Sequence, residues 1–164
     1  MMHRVALAQD FDGPWRVGLG AGVVAPVEGY RAGLGVSAHG ARALSDMFDL
    51  RLNVGVSQHS TRGNDATAVS PWLTHATMGV AYKLDVIEWV PYFGVRAGAQ
   101  IWSDAPRGRN SRVGATLGIM AGIDYAFSRS FGAGVEVGWD VGLREGGARS
   151  AFAGRIWKRP VIPR

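Results

Sequence analysis

Cysteine is missing from all 164 residues. That excludes disulfides and thiolate-held metals, and with them the usual sequence clue to redox compartment. Lysine is almost missing too, with only Lys83 and Lys158 present. Charged residues make up 19% of the chain, and the formal net charge of +5 is carried almost wholly by arginine. A basic chain suits nucleic acid or the anionic phosphates of a membrane surface. There is no basic helix and no Lys/Arg-rich run, so no nucleic-acid partner is expected. No apolar stretch approaches the ~20 residues of a membrane-spanning helix. His39 and His75 lie at no metal-ligand spacing from another histidine or a carboxylate, so no metal site and no cofactor is expected.

What the chain does have is glycine, 24 residues of it, and 47% hydrophobic residues arranged with a period of two. Phe48, Leu50, Leu52, Val54 and Val56 alternate with Asp49, Arg51, Asn53, Gly55 and Ser57. Similar alternation runs from Pro91 to Ile101, from Val113 to Tyr125 and from Phe131 to Leu143. Shorter runs cover Trp15–Val23, Tyr30–His39 and Trp72–Lys83. An irregular one spans Ser150 to Lys158, where Phe152 and Ile156 suggest one parity and Trp157 the other. Period-two alternation is the signature of a strand with two unlike faces. Eight such runs, each about the ~9–11 residues a tilted strand needs to cross a bilayer, predict an antiparallel up-and-down barrel. Turn residues separate them at 26–29, 40–46, 59–70, 84–88, 103–110, 128–130 and 144–149. The many Gly-x-Gly strings belong to this alternation and are not phosphate-binding turns.

Alternation alone does not say which face is inside. A water-facing strand surface normally carries Lys, Glu and Thr, whereas here the less apolar face is mostly glycine with occasional Arg, Asp, Glu, Asn and Gln. Glycine weakens an exposed strand, but inside a narrow eight-stranded barrel it leaves room for a few long polar side chains. The glycine-rich face is therefore expected to point inward and the apolar face toward lipid, where a charge at mid-bilayer would cost ~2–4 kcal/mol. Trp15, Tyr30, Phe48, Trp72, Tyr82, Trp89, Tyr125 and Phe131 sit near run ends, as interfacial girdles do. With both termini periplasmic, 59–70 and 103–110 become long outer loops, and 84–88 and 128–130 short inner turns. Only 40–46 is long for an inner turn.

The segments VPYFGVRAGAQ (Val90–Gln100) and GIDYAFSRSFGAGVEVGW (Gly122–Trp139) resemble the small outer-membrane β-barrel proteins, of the kind seen in the OmpA transmembrane domain and OmpX. The resemblance covers most of 14–157 and is architectural. It implies an all-β, eight-stranded transmembrane β-barrel of a Gram-negative outer membrane over 14–158, with a short tail at 159–164. Residues 1–13 form a separate N-terminal segment. In it, Ala6-Leu7-Ala8 before Gln9 has the small-x-small form of a signal-peptide cleavage site, so either the start lies inside a longer precursor or the terminus is simply frayed. Barrels of this family finish on an aromatic residue. Here KRPVIPR follows Trp157, which leaves the register of the eighth strand open.

The inward face offers Arg16, Arg31, Asp49, Arg51, Arg96, Asp124, Glu136 and Asp140. Buried charges need partners, so Arg51 and Arg96 are expected to face Glu136 and Asp140 in an ionic network that blocks a wide pore. The alternative is a narrow ion or small-solute channel. His59 and Ser60 are candidate catalytic residues, since QHSTRGND faintly resembles a motif of the eight-stranded lipid A deacylases. The competing reading is a polar loop. Arg107, Arg109 and Arg112 could hold lipopolysaccharide phosphates through charge-assisted bonds, or could simply be solvated. The expected function is thus non-enzymatic: an integral barrel with a structural or surface-interaction role, whose partners are outer-membrane lipid and lipopolysaccharide. A soluble lipocalin-like binding barrel remains the alternative if the faces are inverted.

Overall fold

A computed structural model describes residues 15–26, 30–60, 70–84, 89–103, 111–128, 131–143 and 148–158, with backbone alone at 26, 148–153, 155, 157 and 158. Eight strands follow in chain order: β1 (Arg16–Pro26), β2 (Gly33–Ala43), β3 (Phe48–Gln58), β4 (Trp72–Lys83), β5 (Trp89–Ser103), β6 (Ser111–Ala126), β7 (Phe131–Gly142) and β8 (Ala148–Lys158). Each pairs antiparallel with the next, and β1 pairs with β8, so the sheet closes into a barrel. Closure removes both edges, which is how a sheet satisfies all of its backbone groups without water.

The faces divide as the alternation implies. Leu19, Leu34, Val95 and Ile119 are between 63% and 76% exposed, while Asp49 is fully buried and Glu136 is 5% exposed. This inverts the arrangement of a water-soluble protein. In β8, Ile156 is 65% exposed and lies in register with Leu19 on one side and Ala133 on the other. The irregular eighth run is therefore an ordinary strand whose outward parity is that of Ile156.

The inner turn expected at 40–46 is shorter than the sequence reading gave. Ala41, Arg42 and Ala43 continue β2, paired with Arg51, Leu50 and Asp49, and the turn shrinks to 44–47. Gly40 does not break the strand because it sits in register between Val17 and Leu52. Leu44 N and Ser45 N both donate to Phe48 O, at 2.8 and 3.2 Å, and Phe48 N donates to Ser45 Oγ at 3.2 Å. The same closure recurs after β6. Phe127 N and Ser128 N donate to Phe131 O at 3.1 and 3.2 Å, and Phe131 N donates to Ser128 Oγ at 3.1 Å. Both segments read Ala, apolar, Ser, two residues, Phe; the serine hydroxyl supplies the acceptor that holds the turn. The short turns therefore gather at one end of the barrel and the longer connections at the other.

At the short-turn end the aromatic residues form two outer clusters. Phe48 meets Tyr82 edge-on at 5.4 Å, Tyr82 meets Phe93 at 5.5 Å, and Trp89 meets Tyr125 at 4.6 Å. Phe131 and, at the opposite end, Trp72 are also exposed. Tyr30 belongs to neither cluster. Its ring stacks on Trp102 at 4.9 Å and 18°, and Trp102 shares the inward parity of Gln100. The strand alternation does not extend to Tyr30, because β2 begins only at Gly33. For the same reason Arg31 is exposed and does not reach the lumen.

Candidate functional site: the barrel lumen

Period two sends every second residue of each strand inward, so an eight-stranded barrel must fill a narrow bore with those side chains. Among the described residues, four cations (Arg16, Arg51, Lys83, Arg96) and four anions (Asp49, Asp124, Glu136, Asp140) meet in ion pairs there, a balance of zero. Balance is what a low-dielectric interior requires, since any unpaired charge would carry a desolvation cost of several kcal/mol.

The pairs fall into two groups. Toward the short-turn end, Asp49 takes Arg16 in an ion pair, Lys83 Nζ at 3.0 Å and Arg51 Nη2 at 3.8 Å. Arg51 then reaches across the bore to Asp124 Oδ2 at 2.8 Å, with Glu136 Oε2 at 4.0 Å. Its guanidinium carbon stands 3.4 Å from the centre of the Tyr92 ring, which adds a cation–π attraction to the face of that residue. The Tyr92 hydroxyl donates to Glu136 at 3.0 Å.

At mid-height, Arg96 binds both oxygens of Asp140, through Nε at 2.7 Å and through Nη2, and its Nη1 donates to Glu136 Oε1 at 3.2 Å. This fork-to-carboxylate geometry is the strong form of the pair. Glycine makes it fit. Gly118 lies in register between Arg96 and Asp140, and the two side chains meet over it. A Cβ on Gly138 would come within 2.7 Å of Arg96 Nη1. A Cβ on Gly118 would press on the Trp139 carbonyl and the Asp140 carboxylate. Gly118→Ala is therefore expected to cost on the order of 1–3 kcal/mol by overpacking, read as a lower urea midpoint for unfolding from lipid vesicles. Ala115→Gly, on the exposed face of the same strand, is expected to cost less than ~1 kcal/mol.

Arg51, Arg96, Glu136 and Asp140 are thus brought into one network, although Arg51 pairs with Asp124 and Glu136 and not with Asp140. Sequence reasoning placed Asp49 and Asp124 on the right face but not in the network. Cross-strand stagger, which sets who meets whom, has no local sequence signal.

Above Arg96 the lumen widens into a cavity of about 70 Å³ lined by Ser37, Asn53, His75, Thr77, Gln100 and Thr116. That is room for roughly two waters. His75 Nε2 donates to Asn53 Oδ1 at 3.0 Å. Toward the longer connections lie the rings of His59, Trp102 and Tyr30, with His59 5.3 Å and Tyr30 4.9 Å from Trp102.

The serine beside His59 is Ser57, not Ser60. Ser57 Oγ lies 2.8 Å from His59 Nε2, and both side chains are buried, while Ser60 is exposed and its carbonyl accepts from Arg31 N. Period two explains this, since residues 57 and 59 share a face that residue 60 does not. His59 Nδ1 stands 3.2 Å from the Arg31 carbonyl. A carbonyl can only accept, so Nδ1 carries a proton, and in the neutral ring Nε2 then accepts from Ser57. The bonds tie the β1–β2 connection to the end of β3. Arg112 is exposed near the start of β6; Arg107 and Arg109 lie outside the described residues.

Solved structures share this architecture. Neisserial surface protein A superposes with a TM-score of 0.71 at 14% identity, covering 88% of this chain and 96% of that one. The outer membrane protein OprG of Pseudomonas aeruginosa gives 0.63 at 10% identity, over 92% and 95%. The fold is that of the small outer-membrane β-barrels. Ail of Yersinia pestis, solved in complex with the heparin analogue sucrose octasulfate, gives 0.55 at 10% identity over 88% and 98%. No protein-family model and no curated protein sequence matches the chain.

Proposed function

We propose that this chain is an integral outer-membrane barrel with a structural or surface-interaction role and no open pore. The observation that carries this reading is the pairing of an apolar, lipid-suited exterior with a bore filled by matched charges. Arg96, Asp140 and Glu136, joined in ion pairs, line the upper cavity, and Arg51 with Asp124 fills the bore below them. A non-enzymatic role agrees with the burial of the Ser57–His59 pair beneath Trp102. Such a pair needs access to substrate before it can act as nucleophile and base.

Planar-bilayer recording tests the closed lumen. The intact chain is expected to give a flat trace. Arg96→Ala, which empties the middle of the bore, is expected to give small discrete openings. Large steady conductance from the unaltered chain would make the narrow-channel reading the correct one.

A surface role places the longer connections outside, with Arg112 and the sequence-neighbouring Arg107 and Arg109 as contacts for anionic groups. Lipopolysaccharide phosphates are the ligand class such arginines suit, and the complex of Ail with the heparin analogue sucrose octasulfate supports this reading. Weakened retention of lipopolysaccharide by the triple Arg→Gln variant would support the assignment; unchanged retention would remove it.

A further inference from the structure

The outer face of β1–β3 carries an open apolar trough of about 650 Å³, walled by Trp15, Val17 and Leu19 on one side and by Leu52 and Val54 on the other. Its floor is Ala38 and Gly40 of β2, in register with Leu19 and Val17 and with Val54 and Leu52. Small residues between two rows of larger ones make the trough. The Trp15 ring leans over it, 3.4 Å from where a Gly40 Cβ would stand. The next outward residue of β2 toward the short-turn end is Arg42, which is exposed. Among the described residues it forms no ion pair and no hydrogen bond. A lone guanidinium thus stands at the end of an apolar channel, beside an indole, on a face that the proposed function puts in lipid.

We infer that this trough is a binding site for one anionic phospholipid of the short-turn leaflet. An acyl chain lies over Ala38 and Gly40, and Arg42 holds the phosphate. Charge selects the lipid. Annular contact with hydrocarbon is indifferent to headgroup, whereas an unpaired guanidinium at the interface favours a headgroup with net negative charge. Trp15, with an apolar body and a polar N–H, suits the boundary between the two. The site lies at the end opposite the lipopolysaccharide-facing connections, so it is a second lipid contact of a different class. It rests on the barrel being embedded in a bilayer.

Native mass spectrometry of the whole chain, released from vesicles of equimolar phosphatidylglycerol and phosphatidylcholine, tests it. The expected result is one retained phosphatidylglycerol per barrel, favoured over phosphatidylcholine by about tenfold, the worth of one charge-assisted hydrogen bond. Arg42→Gln is expected to abolish the preference, Arg42→Lys to keep most of it, and Ala38→Leu, which fills the floor, to abolish retention of either lipid. Both positions are exposed, and a gel shift on boiling confirms that each variant has folded. Equal retention of the two lipids by the unaltered chain, or undiminished phosphatidylglycerol retention by Arg42→Gln, would overturn the site. A variant that shifts on boiling but has lost its lipid leaves the membrane-barrel reading intact.

Discussion

Asp49→Ala is expected to lower the stability of the folded barrel by at least ~3–5 kcal/mol, the cost of leaving a buried charge without its partner. Asp49 is fully buried, and three cations converge on it: Arg16, Lys83 and Arg51. Removing it turns the balance of zero into one net positive charge and leaves Arg16 and Lys83 without the carboxylate they meet. The neighbouring Asp46 is exposed in the 44–47 turn, and Asp46→Ala is expected to fall within about ±0.5 kcal/mol. Urea titration in lipid vesicles reads both. Equal effects would mean that the pairs around Asp49 are dispensable. The double replacement Arg96→Met with Asp140→Leu is expected to cost less than either single change, because a matched pair is removed along with its desolvation.

Ile119→Arg is expected to cost ~2–4 kcal/mol in the same assay, the depth-dependent penalty of a charge on a lipid face. Ile119 is 63% exposed. In a water-soluble barrel an arginine at so open a position would change stability by no more than about ±0.5 kcal/mol. The two readings of the faces thus differ by several-fold in one number. An effect near zero would mean that water, not hydrocarbon, surrounds β6.

How much of this was legible in the chain follows from which forces are local. Strand number and face assignment rest on period-two alternation, which the first seven strands report for themselves. Even β8, irregular in sequence, takes its parity from its neighbours once Ile156 aligns with Leu19. The turn at 44–47 is shorter than expected because Gly40 resembles the start of a loop, whereas the closing element is the Ser45 hydroxyl. Its twin at Ser128 was the signal that could have shown this. Tyr30 resembles a girdle residue by position alone and instead stacks on Trp102, which has inward parity.

The lumen was half legible. Parity put Arg51, Arg96, Glu136 and Asp140 inside, together with Asp49 and Asp124. Which cation meets which anion depends on stagger between strands that are distant in sequence, such as Arg51 and Asp124. No local pattern encodes that. Ser57 was within reach of sequence reasoning, since a partner for His59 on the same strand must be two residues away and not one.

The most direct test of the central claim, a lipid-facing barrel, is fractionation of cells expressing the chain behind a signal peptide, followed by gel electrophoresis with and without boiling. The protein is expected to sediment with the outer membrane, and its unboiled form to migrate as a compact band which shifts on heating. Recovery in the soluble fraction with no shift would contradict it. The apolar face would then have to line an internal ligand cavity.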